Sequence, residues 1–196
     1  MAELSVEVLS GPDLEAAIPE LSRLRVAVFR EFPYLYVGDA DYEARYLQSY
    51  LNTPESLVVL VRDGEVVVGA SSALPLKTEQ TELRAPWEAA GHDVNRVWYL
   101  AESVLLPQYR SRGLGVRFFA ERERRGRELG YEVASFCAVE RAADHLRRPA
   151  GYVPLDEFWG HRGYAERPDL MAQLSWQDLD EQAESPKTMV FWTKTL

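Results

Sequence analysis

The sequence predicts an α/β domain built on a mixed sheet, and three observations carry that prediction. Residues Val97 to Val139 read as strand, glycine turn, helix and strand, a unit whose two strands run parallel through a right-handed crossover. Ser56 to Arg62 and Glu65 to Leu74 are β-rich runs joined by Asp63-Gly64, a hairpin signal that makes the pair antiparallel. Along the whole chain the order is β-α-α-β-β-β-α-β-α-β-β. The crossover unit is therefore the parallel part of a central, mostly antiparallel sheet flanked by helices.

The elements follow from local pattern. Leu4 to Leu9 alternates as a short strand. Pro19 suits the first turn of a helix, and Leu21, Leu24 and Val28 recur at helical spacing after it. Phe32 to Asp41 (FPYLYVGDAD) breaks that helix with proline and glycine, and Tyr42 to Leu51 is helical again. After the hairpin, residues 75–96 form a polar excursion with a short helix around Glu82 to Ala90. Val97 to Leu106 is an almost wholly apolar strand, interrupted by Glu102 and Ser103. A helix then runs to about Leu129 and stops at Gly130, and Tyr131 to Val139 is a buried strand. Residues 140–154 are irregular and basic. A short helix at Leu155 to Arg162, a strand near Tyr164 and another at Met171 to Trp176 follow. Asp178 to Pro186 reads as an acidic loop, and Thr188 to Thr193 closes the chain as a strand.

Composition limits the function. A length of 196 residues is most simply one domain, 1–196, large enough for a real core. Hydrophobic content of 46% and charged content of 27% are ordinary for a soluble protein, and no apolar run reaches the roughly 18 residues of a membrane span. The start MAELSVEVLSG has neither a basic nor an apolar stretch, so no secretory signal is expected. Cys137 stands alone in an apolar run, which fits a reducing cytoplasm and a buried hydrophobe better than a nucleophile. A net charge of −9 argues against nucleic-acid binding. His92, His145 and His161 share no metal-ligand spacing, so no metal is expected.

The most informative stretch is Leu105 to Phe119, LLPQYRSRGLGVRFF. Gly113 and Gly115 remove side chains where backbone must approach a ligand. The helix behind them leaves its first N–H groups unpaired, with the positive end of its dipole pointing the same way. Arg110, Arg112 and Arg117 concentrate positive charge in an acidic chain. Together they describe an anion site where a strand feeds a helix, the place where open α/β sheets bind ligands. A dinucleotide loop would want a third glycine where Phe118 stands, and a Walker lysine is missing.

These residues resemble the GNAT (Gcn5-related N-acetyltransferase) superfamily, whose acyl-CoA motif is Q/R-x-x-G-x-G/A. Here it is Arg110-Ser111-Arg112-Gly113-Leu114-Gly115, after Pro107 and Tyr109. The element order fits over the whole chain, and FWGHRGY (Phe158 to Tyr164) resembles the family's late helix ending in a glycine-aromatic pair. The resemblance implies a GNAT-like fold whose parallel strands splay at an acyl-CoA slot. It also implies acetyl-CoA as acyl donor, with the pyrophosphate held by backbone from Ser111 to Val116. Main-chain atoms around Ser103, Val104 and Leu105 would hold the pantetheine arm.

The resemblance further implies direct attack of an amine on the thioester, with Glu102 as general base on the strand carrying the donor. Burial would raise its pKa, and the competing role is a structural carboxylate paired with an arginine. The tyrosine that many relatives use as general acid is Trp159 here, so Tyr152, Tyr99, His145 or solvent must protonate the thiolate. The acceptor side falls to the link between the first two helices. Glu31, Tyr34 and Tyr36 combine carboxylate and aromatic faces that suit a cationic amine, although Phe32 and Tyr34 equally suit packing. The acceptor that the resemblance implies is an amine of a small molecule or a peptide. The alternative to an enzyme is a non-catalytic acyl-CoA-binding or regulatory module. An exposed edge or the FWT strand could support a homodimer.

Overall fold

The structure is a computed structural model and describes residues 4–196. Its described residues form a sheet of seven strands: β1 (Leu4–Leu9), β2 (Leu57–Asp63), β3 (Val66–Pro75), β4 (Val97–Leu105), β5 (Val133–Val139), β6 (Ala165–Trp176) and β7 (Ser185–Thr195). Their order is β1-β2-β3-β4-β5-β7-β6, and only β4 and β5 run parallel. The helices are α1 (Ile18–Phe29), α2 (Ala40–Leu51), α3 (Thr81–Ala89), α4 (Leu114–Glu128) and α5 (Asp156–Gly160).

Alternation along the strands gives the sheet two apolar faces. Val58, Leu60, Ala70, Leu74, Tyr99 and Val104 point to one side, where Leu21 and Leu24 of α1, Leu47 and Tyr50 of α2, and Trp87 of α3 cover them. Leu57, Val59, Val61, Trp98 and Leu100 point to the other, under Leu114, Phe118 and Phe119 of α4. Helix α4 lies close on β4 because position 126 has no side chain: a Cβ on Gly126 would stand 2.7 Å from the Trp98 indole. The Trp98 indole N–H also donates to the Arg122 carbonyl at 2.9 Å, so helix and strand share a hydrogen bond.

Two expected boundaries move for backbone reasons. The strands near Tyr164 and at Met171 to Trp176 are one strand, β6, whose register with β7 shifts between Arg167 and Met171. Pro168 lies in that gap, where its missing N–H costs no ladder bond. Strand β7 begins at Ser185, inside the expected acidic loop. Pro186 is tolerated there because β5 ends opposite Met189, leaving β7 with one neighbour.

One irregularity sets up the site. Leu74 pairs with Tyr99 but Ser72 pairs with Glu102, so β4 carries one more residue than β3 across that step. Such a bulge bends and twists its strand. Beyond it β4 leaves β5: the two pair only over Val97↔Val133, Trp98↔Ala134 and Tyr99↔Ser135. Strand β5 stays bonded to β7 as far as Val139, and β4 stays bonded to β3 as far as Leu105. A wedge therefore opens between Leu100–Leu105 and Phe136–Val139.

The bulge is held from the α4 side. Arg122, 1% exposed, donates through Nη1 to the carbonyls of Glu102 (2.9 Å) and Ser72 (3.4 Å), and through Nε to Phe118 O (3.1 Å). Its hydrogen-bond acceptors are all carbonyls, and burial pushes its pKa down to about 10. It stays cationic at neutral pH and satisfies acceptors that the bulge strips from the ladder.

Candidate active site

The anion loop sits at the mouth of the wedge. Pro107–Tyr109 forms a single tight turn after β4, with the Tyr109 N–H donating to Leu106 O at 3.0 Å. Ser111 (φ 61°) and Gly113 (φ 78°) then take left-handed backbone, and Gly113 is the N-cap of α4 with no side-chain cap. The first α4-type bond is Arg117 N to Gly113 O at 3.1 Å. Among the described residues, the N–H groups from Ser111 to Val116 donate no hydrogen bond. Six neighbouring donors at a helix start make a strong anion site. Gly115 lies close to α5: a Cβ there would stand 3.3 Å from the Phe158 ring.

The arginines hold the loop as well as charging it. Arg110 donates from Nε to Leu105 O (3.1 Å) and from Nη2 to Glu31 (2.8 Å), tying the loop to the end of α1. The Arg112 guanidinium lies 5.2 Å from the Tyr109 ring centroid, and the Tyr109 hydroxyl donates to Asp63 at 2.7 Å. Leu114 is buried and Val116 exposed, as the first turn of an amphipathic helix requires. On β4, Ser103 is exposed, Val104 is fully buried beneath α1, and Leu105 is half-buried.

Glu102 points to the α1–α2 side of the sheet, into a buried ion-pair cluster. Arg25 of α1 bonds through Nε to Glu43 of α2 and pairs through Nη1 with Glu102. Burial opposes the Arg25 charge, but Glu43 and the neighbouring Tyr46 and Tyr50 outweigh it, so its pKa is raised. The guanidinium also lies 4.7 Å from the Tyr46 ring and 5.0 Å from the Phe29 ring. One arginine thus locks two helices to the bulged strand. Glu102 is a carboxylate with an arginine partner rather than an isolated group in an apolar strand.

Other buried polar groups surround that cluster. The Tyr99 hydroxyl lies 3.0 Å from the Cys137 thiol, just where β4 and β5 part. Burial raises Tyr99 well above its ordinary value and pushes Cys137 up to about 12. Ser72 donates to the Tyr50 hydroxyl (3.2 Å), which lies 3.4 Å from that of Tyr46. Glu79, in the segment between β3 and α3, faces the same space, and burial pushes its carboxyl up to about 7.

The link between α1 and α2 forms the wall beside them. Arg141, beyond β5, grips Asp178 at 2.6 and 3.0 Å and donates to the carbonyls of Pro33 (2.7 Å) and Tyr34 (2.8 Å). The Tyr34 ring is packed between Phe29 (4.7 Å) and Trp176 (5.9 Å), and burial raises its pKa. Tyr36 pairs by a β-bridge with Asp178, and burial raises its hydroxyl pKa, with Glu43 adding to the effect. Glu31 turns away toward Arg110. Glu31, Tyr34 and Tyr36 therefore share one loop but do not converge on one point.

The expected proton donors separate. Trp159 lies against Phe136 (5.0 Å) and Trp192 (5.2 Å) on the α4 side. Tyr152 and His145 both pack on Phe32, at 4.7 and 5.7 Å. Only Tyr99 of the three stands at the head of the wedge. Sequence reasoning missed Arg25, Glu43, Glu79, Arg122 and Arg141. Arg25 and Arg122 carried a readable signal: each falls on the apolar stripe of its helix, four residues after Leu21 and Phe118. Glu79 lies in a polar segment and carried none. Among the described residues, no group of three or more His, Cys, Asp or Glu side chains is placed to hold a metal ion. No helix among them is long and apolar enough to cross a membrane.

The described residues thus form a strand pair opened by a bulge, with unpaired N–H groups at its mouth. The chain belongs to the acetyltransferase (GNAT) family, whose model matches residues 21–152. Among solved structures it is similar to ribosomal-protein-alanine N-acetyltransferase from Brucella melitensis, at 15% identity and TM-score 0.64, covering 98% of this chain and 99% of that one. It is similar to the Drosophila melanogaster polyamine N-acetyltransferase that forms N-acetylagmatine, at 14% identity and TM-score 0.60, over 99% and 100%. A candidate acetyltransferase from Salmonella typhimurium, solved with its cofactor acetyl-CoA, matches at 11% identity and TM-score 0.60, over 98% and 94%. At such identities the likeness is one of fold. No curated protein matches the chain.

Proposed function

We propose that the chain is an N-acetyltransferase that moves the acetyl group of acetyl-CoA to an amine by direct attack on the thioester, residues 1–196 acting as one catalytic unit. The observation that carries this reading is the run of unpaired N–H donors from Ser111 to Val116 at the open end of the β4–β5 wedge. The donor supplies an activated acyl carbon. Arg112, Arg117 and the backbone N–H groups of 111–116 would hold its phosphates, and Ser103, Val104 and Leu105 its pantetheine arm. Arg110 would keep the loop shaped, through Leu105 O and Glu31.

The amine would enter from the α1–α2 side, where carboxylates and aromatic rings face the wedge. That wall suits a cationic acceptor. Glu102, the base the resemblance implies, is ion-paired with Arg25, which favours its structural role, and Tyr99, kept protonated by burial, would return a proton to the leaving sulfur. Calorimetric titration with acetyl-CoA, followed by CoA release across a panel of amines, tests the reading. Binding plus release from at least one amine is expected. Binding with no release from any amine would support the non-catalytic module instead, and no binding would remove both.

A further inference from the structure

The buried carboxylates on the acceptor side of the sheet outnumber the cations beside them. Glu43 and Glu102 share Arg25, and Glu79 is a third carboxylate within its field. We propose that Glu79 receives the acceptor's ammonium group and takes its proton. The proposal rests on the acetyltransferase reading above and deepens it: the acceptor is a primary amine presented as its ammonium.

Geometry singles Glu79 out. Its backbone is fixed at both polar atoms, N–H to Leu76 O (3.0 Å) and carbonyl from Arg84 Nε (2.9 Å). The residue is 8% exposed, and Oε2 accepts only the Gln80 N–H at 3.3 Å. Oε1 is buried and has no hydrogen-bond partner among the described residues. An unsatisfied carboxylate oxygen inside a protein is costly, and such groups persist where a ligand completes them. An ammonium supplies both the missing donor and the missing positive charge.

The groups facing Glu79 leave it alone as proton acceptor. They are Arg25 from α1, Tyr46 and Tyr50 from α2, Tyr99 from β4 and Cys137 from β5. Arg25 is held by two carboxylates. The three phenols and the thiol are all pushed up by burial and stay protonated at neutral pH. Glu79, at about 7, changes charge where a general base is useful. Tyr99 and Cys137, both within the electrostatic reach of Glu79, mark the point where β4 and β5 diverge.

The chemistry balances. The ammonium gives one proton to a Glu79 oxygen, and the freed nitrogen lone pair forms the N–C bond to the thioester carbon. The C–S bond breaks with its electron pair on sulfur. The nitrogen loses its second proton as the amide forms, and that proton ends on the departing thiolate. Glu79 then returns its own proton to solvent.

The test compares wild type with Glu79→Gln, Glu79→Asp and Glu102→Gln. Acetyl-CoA affinity is read by calorimetry, and CoA release with tyramine, agmatine, spermidine and an alanine-initiated hexapeptide is read from about pH 6 to 9. Glu79→Gln is expected to bind acetyl-CoA as wild type does, with kcat/KM down about 100-fold at neutral pH. Its low-pH limb should change from a titration centred near 7 to a tenfold rise per pH unit following the free amine. Glu79→Asp, which keeps a carboxylate, should retain the titration, and Glu102→Gln should leave it in place. A Glu79→Gln enzyme with a wild-type pH profile, or a titration lost in Glu102→Gln instead, overturns the assignment. Wild type that binds acetyl-CoA but releases none with any of these amines also overturns it and leaves donor binding standing. Wild type that does not bind acetyl-CoA refutes the underlying reading itself.

Discussion

Removing the charge of Glu79 should stabilise this protein, and by an amount that depends on pH. In the native state burial pushes its carboxyl from 4.5 to about 7, because the charged form has lost water and gained only one backbone N–H and a shared arginine. In the unfolded chain it titrates near 4.5, so between those values the native state binds more protons than the unfolded state. Stability therefore falls as pH rises through that window and is lowest, on this account, above it. The full difference is worth about 3 kcal/mol. Glu79→Gln keeps the shape and removes the charge. It should equal wild type near pH 4.5 and exceed it by about 3 kcal/mol at pH 8. For a chain of this size that corresponds to a melting point higher by roughly 6–12 °C. Urea denaturation of both proteins across pH reads the difference directly. A gap that stays constant from pH 5 to pH 8 would refute the claim that a buried, electrostatically strained carboxylate sits at position 79. Gaining stability while losing turnover is the signature of a group retained for chemistry.

Four further outcomes follow from other contacts. Gly113→Glu must place a side chain at φ 78° and a negative charge among the loop's N–H donors; acetyl-CoA heat should vanish from calorimetry while the far-UV spectrum is unchanged. Arg25→Met leaves Glu43 and Glu102 buried without their cation and should cost about 3–5 kcal/mol in urea denaturation, part of it recovered by adding Glu43→Gln. Arg141→Ala frees the Pro33 and Tyr34 carbonyls, so the amine KM should rise severalfold while acetyl-CoA affinity stays put; equal effects on both substrates would count against an acceptor wall there. Trp159→Tyr should not raise turnover, because that ring is wedged between Phe136 and Trp192; a tenfold gain would show that its hydroxyl reaches the leaving sulfur.

What the sequence made legible divides by interaction range. The loop could be read because its requirements are local: left-handed backbone at Gly113, a close approach at Gly115 and a helix start are all encoded within a few residues. The crossover unit and the hairpin were equally readable, since turn chemistry and apolar periodicity act over short spans. The extension of β6 across Pro168 was not, because pairing with β7 overrides the local breaker. Glu102 shows the limit most clearly. Its strand and its burial were both visible, yet its partner Arg25 lies 77 positions away and arrives only when α1 packs on the sheet. That packing turns an isolated acid into half of an ion pair. A charged residue on an apolar helix face, as at Arg25 and Arg122, is therefore worth reading as a statement about another element: something across the core needs its charge or its donors. In this chain both arginines answer to β4, one through the Glu102 side chain and the other through its carbonyl, so the bulge that opens the wedge is gripped from both faces of the sheet.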